Sequence, residues 1–105
     1  MRTLGLPSAA LLALALFVGG AAGAEYTVVI DRMRFGPVPS GLHPGDTIIW
    51  RNDDILRHTA TARDDSFDVD LPAGEAVSMV VGAAGTFEFF CRFHPGMTGT
   101  LEVEP

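Results

Sequence analysis

From Glu25 onward the apolar residues recur at every second position in short runs, with Gly, Pro, Asn and Asp clustered between them. A period of two places successive side chains on opposite faces of an extended chain. Each run therefore has one dry face, which must be buried against another sheet. No apolar spacing of three and four lasts long enough to predict a helix. Glu25 to Asp31 predicts a first strand with Tyr26, Val28 and Ile30 on one face. The turn His43-Pro44-Gly45-Asp46 launches a second over Thr47 to Arg51, where Ile48 and Trp50 share a face, and Asn52-Asp53-Asp54 ends it. Further strands are expected over Ile55 to Arg63, Phe67 to Leu71, Ala76 to Val81, Thr86 to Cys91 and Thr98 to Glu104, while Met33 to Leu42, with Pro37 and Pro39, reads as an irregular edge or crossover. The expectation is an all-β domain, a sandwich or small barrel of about seven to eight strands.

Residues 1–24 have the layout of a cleavable secretory signal. Arg2 supplies the positive region, Ala9 to Val18 the apolar stretch, and Ala22-Gly23-Ala24 the small residues of a cleavage site before Glu25. The apolar stretch is too short for a permanent span, so the mature segment 25–105 is expected to be exported, to the periplasm or the outer side of the membrane, without stable membrane insertion. Roughly 80 residues make one domain with a marginal core, and such domains usually gain from disulfides, a metal or a partner. Cys91 is the single cysteine, so an intrachain disulfide is excluded. A lone thiol is unusual in an exported domain; it is either idle or occupied by something other than a second sulfur. Thirteen acidic side chains against seven arginines and no lysine disfavour a nucleic acid partner. No glycine-rich phosphate loop, CxxC pair or CxxCH haem motif is present.

The run Cys91-Arg92-Phe93-His94-Pro95-Gly96-Met97 packs a thiolate, an imidazole and a thioether donor between two expected strands. Two histidines and a cysteine with a weak axial methionine form the donor set of a copper electron-transfer site. Zinc competes for Cys and His, but methionine argues for copper. The second histidine must be His43 or His58. His43 sits in a tight turn and His58 in or beside a strand, where cross-strand packing can aim it, so placement favours His58. Pro95 fixes one backbone torsion of the loop and Gly96 admits a turn.

The runs FCRFHPGMTGTLEV and GDTIIWRNDDILRHTAT, with the turn at LPAGE, resemble the plastocyanin/azurin-like blue copper proteins, the cupredoxins, over nearly the whole mature segment. The short ligand loop is closer to amicyanin than to plastocyanin. The resemblance implies a Greek-key β-sandwich and one copper held by His58, Cys91 and His94 with Met97 as the axial sulfur, the histidines through Nδ1. It further implies that the Thr59 backbone N–H donates to the cysteine sulfur, that Asn52 braces the loop before His58, and that His94 reaches solvent through an apolar patch. The implied function is one-electron transfer between transient redox protein partners by a monomer that is not an enzyme. An exported copper chaperone or storage protein, and a structural β-domain with an idle buried cysteine, are the alternatives. Arg57, Arg92 and Phe93 depart from the family pattern, and the arginines are expected to disfavour a basic partner. Asp64, Asp65, Asp68 and Asp70 form either an acidic docking patch or a solvated loop.

Overall fold

The computed structural model describes residues 23–105, so the expected leader lies outside the described residues but for its last two. Eight strands form: β1 (Glu25–Asp31), β2 (Arg34–Phe35), β3 (Thr47–Asn52), β4 (His58–Ala62), β5 (Asp68–Leu71), β6 (Ala76–Val80), β7 (Gly85–Phe90) and β8 (Thr98–Val103). They make two four-stranded sheets, in the orders β2-β1-β3-β6 and β5-β4-β7-β8. No helix occurs among the described residues. The first sheet is mixed, since β1 runs parallel to β3 with Val28 opposite Trp50, whereas β6 is antiparallel to β3.

The alternation read from the sequence becomes the core. Val28, Ile30, Ile48 and Trp50 face inward from one sheet, and Ala60, Leu71, Phe89, Leu101 and Val103 from the other. Burying each large apolar side chain stabilises the fold by about 1.5–3 kcal/mol. At the centre Trp50 and Phe89 meet edge to face at 5.2 Å, and Phe35 meets Phe89 the same way at 4.8 Å, a geometry the ring quadrupoles favour. Phe89 lies opposite Gly99 of β8, and a Cβ at that glycine would run into the Phe89 ring.

Two expectations need correcting. The segment taken as irregular contains β2, which pairs with β1 through Ile30–Phe35 and Asp31–Arg34. Its two-residue turn places Arg32 at φ 50° and Met33 at φ 62°, the left-handed pair that matches strand twist in tight hairpins. Strand β4 begins at His58 rather than Ile55. Asn52 Oδ1 accepts the Asp54 N–H and Asp54 Oδ1 the Ile55 N–H, so side chains take the amides that a ladder would use.

The strand ladders also open a gap. Strand β4 pairs with β5 from His58–Leu71 to Thr61–Asp68, but with β7 only at Thr61–Phe90 and Ala62–Phe89. At His58 and Thr59 it has parted from β7, and Cys91 with its following loop fills the opening.

Candidate metal centre

His58 comes from the first residue of β4, Cys91 from the residue just past β7, and His94 from the loop leading to β8. His58 and Cys91 are fully buried, while His94 is half-buried. The two Nδ1 atoms stand 3.2 Å apart, and Cys91 Sγ lies 3.7 Å from that of His58 and 3.6 Å from that of His94. The point equidistant from these three atoms lies about 2.0 Å from each, close to the bond lengths of first-row metals to imidazole and somewhat short for thiolate.

The loop is closed by its own backbone. The Cys91 N–H donates to Met97 O at 3.1 Å, the His94 N–H to Cys91 O at 3.2 Å and the Met97 N–H to His94 O at 2.9 Å. Met97 is buried in the same core cluster as Cys91. His43 belongs elsewhere: it is exposed, and its N–H donates to Asp46 Oδ2 at 2.8 Å.

The surrounding bonds expected from resemblance are present. The Thr59 N–H donates to Cys91 Sγ at 3.4 Å. Asn52, fully buried, donates through Nδ2 to Leu56 O at 2.8 Å and Leu71 O at 2.9 Å, tying β3 to the segment before His58. One contact was not anticipated. His58 Nε2 lies 2.9 Å from Asp54 Oδ2, which also accepts the Met33 N–H at 3.1 Å. A carboxylate at Nε2 fixes the tautomer, leaving the Nδ1 lone pair to face the sulfur. The hydrogen bond from His58, then that from Met33, holds the Asp54 carboxyl below its ordinary value against the opposing effect of burial. The only sequence hint was the polar run after β3, which does not specify the partner.

The arginines near the site are not free charges. Arg57 grips Asp70 with two bonds of 2.8 and 2.9 Å, and Arg92 Nε donates to Asp68 at 3.2 Å. Both guanidinium groups also lie over the Phe93 ring, at 5.2 and 5.7 Å from its centroid. Each arginine is thus answered by an aspartate of β5. The same pairs remove Asp68 and Asp70 from any free acidic patch.

The sequence matches the profile of the cupredoxin-like domain over residues 7–103. This chain belongs to the cupredoxin-like family. Among curated proteins the cupredoxin is 26% identical over 83 residues to an amicyanin of Paracoccus versutus, an overlap of 73% of this chain and 63% of that relative, slightly less than two thirds of its length. Among solved structures it is similar to a reduced amicyanin variant, at 27% identity and a TM-score of 0.64, over 83% of this chain and 88% of that one. The Cu(I) form of another amicyanin variant gives the same figures. A purple cupredoxin from Nitrosopumilus maritimus, 19% identical with a TM-score of 0.60 over 75% of this chain and 99% of that one, shares the fold. The donor set of this cupredoxin, two imidazole nitrogens and a sulfur around one point, fits the copper that a relative's structure contains.

Proposed function

We propose that this cupredoxin is an exported one-electron carrier holding one copper ion through His58 Nδ1, Cys91 Sγ and His94 Nδ1, with Met97 as a weak axial ligand. The observation that carries the reading is the triangle of three donors at 3.2, 3.6 and 3.7 Å, built around a free cysteine at the end of a β-sandwich. When bound, copper supplies a couple between Cu(II) and Cu(I). The chain's part is to hold the donors still. Strand β4 fixes His58, Asp54 fixes its tautomer, the Thr59 N–H sits on the sulfur, and three backbone bonds close the loop. Burial of His58, Cys91 and Met97 excludes water, while the half-buried His94 is the natural edge for an electron to cross. The thioether of Met97 favours copper over zinc.

The apolar surface supports a protein partner. Of the five large apolar side chains exposed among the described residues, Ile55, Leu56 and Phe93 belong to the segments that carry Asp54, Arg57 and His94, and Met33 sits in the hairpin turn whose N–H donates to Asp54. Complexes of electron carriers are small and short-lived, which suits a monomer shuttling between redox proteins. No covalent bond of a substrate changes, so the protein is read as a carrier rather than an enzyme. Residues 1–24 are read as the signal that exports it.

The test is to add copper(II) to the purified protein and record its visible and electron-spin resonance spectra, with Cys91→Ala in parallel. An intense band that disappears in the variant, and that bleaches and returns over repeated reduction and oxidation, is expected. Tight copper binding without the band would refute electron transfer and leave a chaperone or storage role; no binding at all would leave an idle cysteine.

A further inference from the structure

A chain of hydroxyls runs from the peptide after Cys91 to the surface of β5. The Arg92 N–H donates to Thr59 Oγ1 at 2.9 Å, Thr59 Oγ1 lies 2.9 Å from Thr61 Oγ1, and the Thr61 hydroxyl donates to Asp68 Oδ1 at 2.7 Å. The Arg92 side chain closes the ring, its Nε–H reaching the same Asp68 oxygen at 3.2 Å. Both threonines are buried, whereas Asp68 is about half exposed.

Proton counting fixes the direction of every bond. An ionised carboxylate only accepts, and a hydroxyl has one proton to give. Thr61 gives its proton to Asp68, so it must accept from Thr59. Thr59 has then spent its own proton and is left as the acceptor for the Arg92 N–H. That N–H belongs to the peptide linking Cys91 to Arg92, so its orientation sets the backbone that carries the sulfur. The same Thr59 donates its own backbone N–H to Cys91 Sγ. Thr59 therefore clamps this stretch at two points, just where the ladder between β4 and β7 has ended.

We propose that Asp68 is a positioning residue for the metal-binding loop, acting through Thr61 and Thr59 on the peptide that follows Cys91. The two hydroxyls replace the ladder that cannot continue once the strands separate to admit the ligand loop. Asp68 gives the relay a fixed polarity, and the low dielectric around the threonines strengthens each bond in it. The effect on copper rests on the electron-carrier reading above, but the relay belongs to the protein without metal.

The test uses Thr61→Val, which keeps the shape and removes the relay, and Asp68→Ala, which alters a half-exposed residue and keeps the fold safe. Thr61→Ser is the rescue and Asp70→Asn the control. In metal-free protein, amide hydrogen exchange at Arg92 should accelerate at least tenfold in the first two variants while the central Trp50 amide changes far less; Thr61→Ser and Asp70→Asn should match the wild type at Arg92. With copper(II), the cysteine-dependent band should shift in Thr61→Val and Asp68→Ala and return in Thr61→Ser. Unchanged Arg92 exchange in Asp68→Ala, or equal acceleration at Arg92 and Trp50, would overturn the proposal. If the wild type shows no band, the electron-carrier reading fails while Arg92 exchange in metal-free protein still decides the relay.

Discussion

Replacing Asn52 by alanine should be among the most damaging single changes near the site, although Asn52 touches neither sulfur nor imidazole. Its side chain makes three short bonds: Nδ2 to Leu56 O at 2.8 Å, Nδ2 to Leu71 O at 2.9 Å, and Oδ1 from the Asp54 N–H at 2.9 Å. Two of these lie in partly buried surroundings and lose about 1 kcal/mol each, while the fully buried Leu71 carbonyl, left without its donor, adds about 2. The sum, roughly 4 kcal/mol, is a large part of the total stability expected for a domain of this size. At ~4–8 °C per kcal/mol the midpoint of thermal unfolding should drop by about 15 °C or more. Urea unfolding of the metal-free protein measures it, with an unchanged slope expected because the folded state buries nearly the same surface. Asn52→Asp separates the contributions: it keeps the acceptor for Asp54 but turns an anion toward two carbonyl oxygens, so at neutral pH it should be no more stable than the alanine variant. A loss below about 1 kcal/mol for Asn52→Ala would refute the claim that these bonds carry the segment.

Gly99→Ala puts a methyl group into the space of the buried Phe89 ring and should cost about 1–3 kcal/mol by overpacking, read from the same urea midpoint. Asp68 and Asp70 are held below the ordinary carboxylate value of 3.8, Asp68 first by the Thr61 hydroxyl and Asp70 first by Arg57. Their folded-state values lie below the unfolded one, so their stabilisation is complete above that value and is lost as pH falls through the folded-state values. Their contribution to the unfolding midpoint should be constant around neutrality and lost only in acid, which Asp68→Asn and Asp70→Asn should show as a smaller acid decline. Met97→Leu conserves volume and should leave stability of the metal-free protein within about 1.5 kcal/mol; if Met97 is the axial ligand proposed above, the reduction potential of the copper-loaded protein should rise in the same variant.

Much of this molecule was legible because its logic is local. Val28, Ile30, Ile48 and Trp50 declare a strand face by alternation alone, and all four are fully buried. Cys91, His94 and Met97 sit within seven residues, so their joint presence in one loop needed no topology. What stayed hidden depends on register. Strand β4 is buried at all five positions, so its sequence HTATA shows no dry and wet alternation to mark where the strand begins. Asp54 looked like turn filler because the bond to His58 depends on how the turn after β3 folds. The partners of Arg57 and Arg92 are 13 and 24 residues away in sequence, and no periodicity reports such pairs.

The least conspicuous strand explains most of what sequence reading left open. Strand β5 has four residues and lies at the edge of its sheet, a position where an unprotected strand invites pairing with other chains. Alternation divides it cleanly. Leu71 enters the core and Val69 is half-buried, while Asp68 and Asp70 point outward on the opposite face. Pairing with β4 sets Asp70 opposite Thr59 and Asp68 opposite Thr61, and so aligns the carboxylates with the two arginines of the metal end. One carboxylate takes Arg57, the other takes Arg92 and the Thr61 hydroxyl, and the Leu71 carbonyl receives Asn52. These four residues thus neutralise the charge around the site, receive the brace from β3 and end the hydroxyl relay from the cysteine loop. The charges on this edge deter stray strand pairing by the same placement that positions the site. Under the proposed electron-carrier reading, a partner approaching the metal end would meet Phe93, Ile55 and Leu56 beside arginines paired with aspartates, and burial of apolar surface rather than ion pairing would govern the contact.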